Sequence, residues 1–451
     1  MSPPLLKTVT LGCKVNQYET EYLREGLLSI GYVDADRDQT ADLCIVNTCT
    51  VTAEGDSKSR QTVRQLARRN PGTKIVVMGC YAARAPEEVA ALPGVVEVIT
   101  DKRELPDVLG RFGVVDVPTG ISGFGRRHRA YVKVQDGCLL RCSFCIIPIV
   151  RPVMASRPLR HILEEVRRLV DNGYREIVLT GIHLGHYGVD WNRNRPKSEW
   201  TRLSHLVDTL ARLDGDFRLR LSSIEATEVT RELIDVMAEH GEKVCPHLHI
   251  SMQSGSDSVL RRMRRRWGSR RFIDRCGLVR EQLDQPAITT DVMVGFPGET
   301  DAEFQETCEA CRQVGFSKLH IFPFSARPGT AAADMPGQLP KQVKSERSRH
   351  LATLEKTLRR EYFQSLIGRR LRVLIESPLE DQPGWVLGTS CRYAPVELPL
   401  ELPGETRQFG QFADVVAGSA DERRIRASAV TSRAATCGEQ HAGDPRAFAR
   451  G

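Results

Sequence analysis

The stretch Cys138-Leu139-Leu140-Arg141-Cys142-Ser143-Phe144-Cys145 constrains this chain more than any other. Ahead of it, Tyr131-Val132-Lys133-Val134 alternates as a half-buried strand does, so the three thiols fall on a loop at a strand's carboxyl end. Asp136-Gly137 supplies the turn, because Gly accepts backbone angles that strain other residues. With C-x3-C-x2-C spacing, one short loop can fold three sulfurs around one metal centre. A cubane iron–sulfur cluster is usually held by four Cys, so three protein thiolates leave one iron open to a small molecule, as a catalytic zinc keeps an open position. An open iron implies chemistry. Two alternatives stand beside this reading. A structural zinc site asks for a fourth ligand, as paired C-x2-C motifs or a distant H-x3-5-H, and no His lies close behind Cys145. Packing explains single buried Cys residues, but poorly explains three on one Gly-led loop.

The remaining composition bounds the setting. At 451 residues the chain is too long for one small core and suggests about three units. Its 41% hydrophobic and 27% charged residues are those of a soluble globular protein. Met1 to Thr10 carries no apolar signal region and no apolar run of about 18 residues occurs, so a cytoplasmic protein with no membrane partner is expected. Thirteen Cys, an odd number without a dense secreted framework, fit reduced thiols serving metal chemistry. The net charge of +7 mildly favours a polyanionic partner.

Strand and helix patterns alternate from the start. Strands are expected at 7–11, 41–46 and 74–78. A helix is expected at 16–30, with Asn16 as its cap and Leu23, Leu27 and Ile30 facing inward. Such alternation argues for a parallel sheet covered on both faces, where functional groups gather beyond the strands' carboxyl ends. Cys13, Cys49 and Cys80 each follow a strand, and their separations match one strand–helix unit, so three distant thiols converge on one edge. A second metal cluster is the expectation; chance burial of Cys is the alternative. Cys44 sits inside a strand and reads as core. Residues 101–129 are expected to close this domain with another strand–helix unit, ending in Gly123, Gly125 and Arg126-Arg127-His128-Arg129 as a linker.

From Tyr131 the alternation runs through six units. Strands are expected at 131–135, 176–181, 217–222, 246–253, 287–295 and 318–324, and helices near 158–173, 201–213, 229–240, 268–283, 301–315 and 341–364. Six units suggest a partial barrel related to the (β/α)8 form. Thr180-Gly181, Ser222-Ser223-Ile224-Glu225, Gln253-Ser254-Gly255 and the run from Asp291 to Glu299 fall at the strand ends that the Cys loop shares. Turn chemistry explains each Gly or Pro singly; their co-location favours one site. Arg261, Arg262, Arg264, Arg265, Arg266, Arg270 and Arg271 surround Trp267, a patch suited to gripping phosphates and stacking on a base. A solvated helix face accounts for it equally. Short strands broken by Pro and Gly over 367–428 indicate a small β-barrel, a form that often binds single-stranded nucleic acid. The Ala, Gly and Arg-rich tail is expected to be disordered, leaving Cys437 a stray thiol.

The Cys138 motif, with Phe144 before its last Cys, resembles the signature of the radical S-adenosylmethionine (SAM) superfamily. With Cys13, Cys49 and Cys80 added, the chain resembles that superfamily's methylthiotransferase family over roughly residues 5–428. The resemblance implies an α/β chain of three domains: an N-terminal parallel α/β domain over 5–115, a partial (β/α)6 radical SAM barrel over 124–366, and a small TRAM-like C-terminal β-barrel over 367–428. A tail follows over 429–451. It implies two [4Fe-4S] clusters, an auxiliary one on Cys13, Cys49 and Cys80 and a SAM-binding one on Cys138, Cys142 and Cys145. It places Phe144 near the SAM adenine, Gly181 near its methionine amine, and Ser223 and Gln253 near ribose or carboxylate.

The segment Leu11-Gly12-Cys13-Lys14-Val15-Asn16-Gln17-Tyr18-Glu19-Thr20-Glu21 resembles the branch that methylthiolates N6-threonylcarbamoyladenosine beside the tRNA anticodon. Phe322-Pro323-Phe324-Ser325-x-Arg327-x-Gly329-Thr330 points the same way. That branch implies radical-based insertion of sulfur and a methyl group at carbon 2 of the adenine, with an electron donor and a sulfur source as further partners. Arg261, Arg262, Arg264, Arg265, Arg266 and Trp267 are the expected tRNA contacts. Alternatives are the same chemistry on isopentenyladenosine or on a ribosomal protein, and an iron–sulfur RNA-binding regulator without turnover. Two departures from the family pattern stand out: Leu139-Leu140 where polar residues are usual, and Pro152 in place of Gly.

Overall fold

The computed structural model describes residues 2–125, 127–402 and 405–428. Arg126, the 429–451 tail and Cys437 lie outside the described residues.

The N-terminal domain is built on a fully parallel sheet in the order Val33–Asp34, Leu5–Thr10, Leu43–Thr48, Lys74–Gly79, Val95–Ile99. Leu43–Thr48 is buried along its whole length, as expected of a central parallel strand covered on both faces. Helices Lys14–Ser29 and Ala53–Arg69 follow the strands that precede Cys13 and Cys49. Three details differ from expectation. The closing strand is Val95–Ile99, ahead of residue 101, with only the short helix Leu105–Arg111 after it. Asn16 does not cap: it lies inside the first turn, where its amide donates to Leu11 O at 2.9 Å and Thr48 O at 3.0 Å. Ile30 lies past the helix end and is exposed, whereas Leu23 and Leu27 are core.

The second domain contains the six strands and six helices expected. Its strands are Arg129–Asp136, Glu176–Gly181, Arg218–Leu221, His247–Ile250, Ala287–Val294 and Lys318–Pro323; its helices are Leu159–Asp171, Leu203–Ala211, Arg231–Glu239, Ser269–Gln282, Asp301–Val314 and Lys341–Ser365. The third strand breaks at Ser222 and resumes as Ser223–Ile224. Its first part pairs with the Glu176 strand and its second with the His247 strand, so one strand joins two half-sheets.

The C-terminal unit is a closed five-stranded barrel of Arg370–Pro378, Trp385–Ser390, Pro395–Pro399, Ile425–Ala427 and Phe412–Ala420, which leaves it no free sheet edge. A buried charge knot fixes it beneath the amino ends of the second domain's strands. Glu176 accepts from Arg218 Nε at 2.6 Å and Arg220 Nε at 2.8 Å. Arg218 reaches on to the carbonyls of Arg372 and Thr389 at 2.6 and 2.8 Å, and Arg220 to those of Ser390 and Cys391 at 3.0 and 3.1 Å. Each buried charge thus has an opposite charge and hydrogen bonds, without which its desolvation would be prohibitive. The small barrel therefore sits at the end of the central domain opposite the Cys138 loop.

Candidate functional site

The first thiol triad lies where three adjacent parallel strands end. Cys13 precedes the helix Lys14–Ser29, Cys49 follows Leu43–Thr48, and Cys80 opens the short helix Cys80–Arg84. Gly79, just before Cys80, has φ +103°, and a Cβ there would meet Thr48 O at 2.3 Å, so only Gly brings Cys80 this close to the neighbouring strand. Burial pushes the Cys49 thiol up to about 11, with Cys80 and Cys13 adding to the shift. Burial also raises Cys13, against Arg151, which favours its thiolate.

The second triad hangs from the carboxyl end of Arg129–Asp136. Gly137 has φ +74°, and a Cβ would meet Val153 O at 1.9 Å, so the turn into Cys138 tolerates no side chain. Ser143 pins the loop's middle: its N–H donates to Met263 O at 3.1 Å, its hydroxyl to Arg262 O at 2.8 Å, and its carbonyl accepts from Ala332 N at 2.7 Å. Burial pushes the Cys145 thiol up to about 12 and raises Cys142 against the pull of Arg265.

Thiols that burial holds protonated, such as Cys49 and Cys145, release their protons to solvent when a metal binds them as thiolates. The donor set fits a wide centre. Sulfurs on tetrahedral zinc, with bonds of about 2.3 Å, stand about 3.8 Å apart. Among the described residues, neither triad draws its three sulfurs within 4.8 Å of one another. Three thiolates at the corners of a larger cluster fit better than a compact zinc tetrahedron.

A cavity of about 160 Å³ opens onto the second triad, lined by Cys138, Cys142, Cys145, Phe144, Ser223 and Gln253 among others. Gln253 holds φ +68°, an uncommon conformation for a residue with a side chain, between backbone hydrogen bonds to Asp291 O and Met293 N, each 2.8 Å. Gly181 does not line this cavity; it packs against Gln135, where a Cβ would come within 3.1 Å. His183, Glu225 and Arg265 do line it. The sequence places Glu225 at a strand end that shares the site, whereas His183 was passed over; its only signal was position beside Gly181 at a strand end.

The arginine patch divides. Arg261, Arg264, Arg266, Arg270 and Arg271 are exposed. Trp267 is only 6% exposed, tilted against Phe272 and covered by Arg265 at 4.8 Å, so it cannot stack on an incoming base. Arg265 turns inward to Glu225 and Cys142, and Arg262 is paired with Glu303 at 2.8 Å. The expectation of one continuous phosphate-binding surface is corrected: an indole needs burial, and it drew Arg265 in with it.

Two buried arginines link the domains that carry the triads. Arg151 forms a bidentate pair with Glu19, and also contacts Asp136 at 2.8 Å and Asn16 at 3.1 Å. Arg327, 2% exposed, reaches Asp56 and Thr50 Oγ1 beside Cys49, with Arg84 on Asp56 from the other side at 2.8 Å. Pro152, one of the sequence departures, lies exposed next to Arg151 and takes no part in either link. Among the described residues, no helix is long and apolar enough to cross a membrane.

Residues 132–311 match the radical SAM superfamily, and residues 6–101 match "Uncharacterized protein family UPF0004". The chain is 41% identical over 390 residues to the threonylcarbamoyladenosine tRNA methylthiotransferase MtaB of Bacillus subtilis, covering 82% of this chain and 85% of that one. It is 40% identical over 387 residues to the protein of the same name from Thermotoga maritima, covering 82% and 87%. It is 35% identical over 387 residues to the tRNA-2-methylthio-N(6)-dimethylallyladenosine synthase of Corynebacterium glutamicum, covering 82% and 74%. The radical SAM methyltransferase TsrM of Kitasatospora setae shares the fold, with a TM-score of 0.54 at 15% identity over 73% of this chain and 75% of that one. Two thiol triads on two linked α/β domains, matched along most of the length of these relatives, show that the chain belongs to the radical SAM methylthiotransferase family.

Proposed function

We propose that this protein is a tRNA methylthiotransferase that inserts sulfur and a methyl group at carbon 2 of N6-threonylcarbamoyladenosine next to the anticodon. The observation that carries the reading is the pair of thiol triads on separate domains, one gathered from three strand ends and one on a single loop, joined through Glu19 and Arg151. Cys138, Cys142 and Cys145 would hold the SAM-binding [4Fe-4S] cluster, and Cys13, Cys49 and Cys80 the auxiliary one. When bound, the clusters and SAM supply the one-electron chemistry, the inserted sulfur and the methyl group.

The protein's own residues orient and enclose. Phe144 would lie beside the SAM adenine, and Ser223 and Gln253 would offer polar groups to its ribose or carboxylate. Gly181 shapes the strand end behind them. The apolar Leu140 and Ile147 help line the cavity and limit water around a reactive species. Arg261, Arg264 and Arg266 are exposed and would meet tRNA phosphates, with the C-terminal barrel as a second surface. Turnover requires an electron donor and a sulfur source, and the setting for both is the cytoplasm. The Lys14-Val15-Asn16 sequence after Cys13, together with the MtaB relatives, favours the threonylcarbamoyl substrate over isopentenyladenosine.

Nucleoside mass spectrometry of tRNA from cells with and without the gene tests this. Loss of 2-methylthio-N6-threonylcarbamoyladenosine with gain of its unmodified precursor is expected; loss of the isopentenyl product instead would transfer the assignment to that branch.

A further inference from the structure

Two carboxylate-backed side chains, an imidazole and a guanidinium, reach the sulfurs of the Cys138 loop. His183 Nδ1 lies 3.5 Å from Cys138 Sγ, and its Nε2 is paired with Glu228. Arg265 Nη1 lies 3.6 Å from Cys142 Sγ, and its Nη2 is paired with Glu225. Both side chains are held on several sides. The ring of His183 stacks on His186 at 3.6 Å, and its backbone N–H donates to Gln135 Oε1 at 2.8 Å. The same Gln135 donates to the carbonyls of Asp136 and Gly137 at 2.7 Å, which form the turn into Cys138. Arg265 lies over Trp267, donates to Ser251 O at 3.1 Å, and its side chain is 4% exposed. Trp267 Nε1 donates to Glu225 at 3.2 Å, giving that carboxylate a second partner.

The two backing carboxylates come from one turn. Glu225 N–H donates to Glu228 Oε2 at 2.9 Å in a reciprocal cap around Ala226–Glu228, so a single short segment aims both side chains. This is the arrangement by which an outer carboxylate orients a ligand's hydrogen-bonding partner. Neither side chain has a surface role. Arg265 is too buried to meet a phosphate, and both nitrogens of His183 are already engaged.

Hydrogen bonds and positive charge at cluster sulfurs stabilise the more negative, reduced state, and are among the factors that set a cluster's potential. We infer that His183 and Arg265 are positioning residues that donate to the thiolates of Cys138 and Cys142 and raise the reduction potential of the cluster on that loop. The inference rests on the reading that the Cys138 loop holds an iron–sulfur cluster. Among the described residues, no such side-chain donor reaches Cys145, so the effect is directed at two corners of the site. The rival is a divalent cation held by His183, His186 and Glu228, whose ligand atoms lie within 4.8 Å of one another.

The test uses full-length protein with Cys13, Cys49 and Cys80 changed to Ala, anaerobically reconstituted so that only the Cys138 loop is loaded, and titrated with dithionite under electron paramagnetic resonance. His183→Leu and Arg265→Met are each expected to lower the equilibrium constant for cluster reduction about tenfold, or 59 mV for a one-electron couple. His183→Asn, which keeps a donor near the Nδ1 position, and Arg265→Lys, which keeps the charge, should recover most of the shift. An unchanged potential in both deletion variants with iron content intact would overturn the inference and leave the cluster reading standing. Absence of a reducible cluster signal in the parent would instead sink the cluster reading. Stoichiometric zinc lost on His186→Leu would also overturn it, in favour of the cation site. If the deletion variants lose iron, Arg265→Gln, which removes the charge but keeps a polar side chain, decides: a lowered potential at full iron content supports the donor role, and an unchanged one refutes it.

Discussion

Glu19 and Arg151 meet in a bidentate ion pair at 2.7 and 2.8 Å, with both side chains no more than 2% exposed. Glu19 belongs to the helix that Cys13 introduces, and the carbonyl of Arg151 accepts the Cys138 N–H at 3.4 Å. The pair thus joins the roots of two thiol loops that lie far apart in sequence. Lys133, at 2.9 Å from Glu19 and 2.7 Å from Asp136, completes a four-charge cluster.

Breaking this pair should unfold the domain contact. Glu19→Gln leaves Arg151 buried with less compensation, and a loss of about 3–5 kcal/mol in unfolding free energy is expected. Urea denaturation at neutral pH measures it.

The same cluster sets an acid limit. Burial opposes the Glu19 carboxylate, but Arg151 and then Lys133 outweigh it and hold its pKa below the ordinary value; Asp136, opposed by burial in the same way, is held below it by Lys133 and Arg151. A depressed carboxyl contributes stability that is present above its unfolded pKa, about 4, and that is lost as pH falls through the folded value. The wild-type protein should therefore lose stability steeply below about pH 4, and Glu19→Gln should show a shallower acid slope. Parallel denaturation curves at several acidic pH values would expose equal slopes, which would rule out Glu19 as a source.

Metal content separates the two loops. Anaerobically reconstituted protein should hold about eight irons, four for each cubane. Replacing Cys13, Cys49 and Cys80 by Ala should leave about four irons and intact SAM cleavage while abolishing sulfur insertion. Replacing Cys138, Cys142 and Cys145 should abolish both activities. SAM cleavage surviving in that second variant would refute the assignment of the loops.

The Arg327 link should matter for sulfur insertion more than for SAM cleavage. Arg327→Met removes the interdomain partner of Asp56 and Thr50 beside Cys49, leaving Arg84 on both, without touching the Cys138 loop. Methylthiolated product should fall by at least about tenfold, a barrier increase of about 1.4 kcal/mol, while 5′-deoxyadenosine formation changes little. Quantifying both products from one reaction gives the ratio, and an equal fall in the two would make the link a general stabiliser.

Salt dependence distinguishes the outward arginines from the inward ones. Changing Arg261, Arg264 and Arg266 to Gln should flatten the slope of log affinity for tRNA against log salt by about 0.7 to 0.9 per lost contact. Arg262→Gln, which breaks the pair with Glu303, should leave that slope nearly unchanged. Anticodon stem-loop titrations at three salt concentrations suffice.

Much of this protein could be read from local pattern. The six central strands and helices, the five short strands of the small barrel and the place of all six loop cysteines follow from periodicities of two and 3.6 residues and from turn chemistry, which a short window of sequence carries. The thiol spacing alone pointed to an open metal centre. What the sequence could not decide depends on distance. The paired Arg327 and Asp56 stand 271 positions apart, so no local window relates them. Arg265 looked like its neighbours in the arginine run, yet burial of Trp267 and the Glu225 carboxylate drew it to Cys142, while Arg264 and Arg266 stayed in water. The placing of the small barrel beneath Glu176, Arg218 and Arg220 was likewise unreadable, because charged residues inside a strand look solvent-facing until the tertiary structure supplies their partners. Sequence by itself determined which elements form and which thiols share a loop; tertiary structure decided which charges are buried together, since the cost of burying a charge depends on a partner that arrives from elsewhere in the chain.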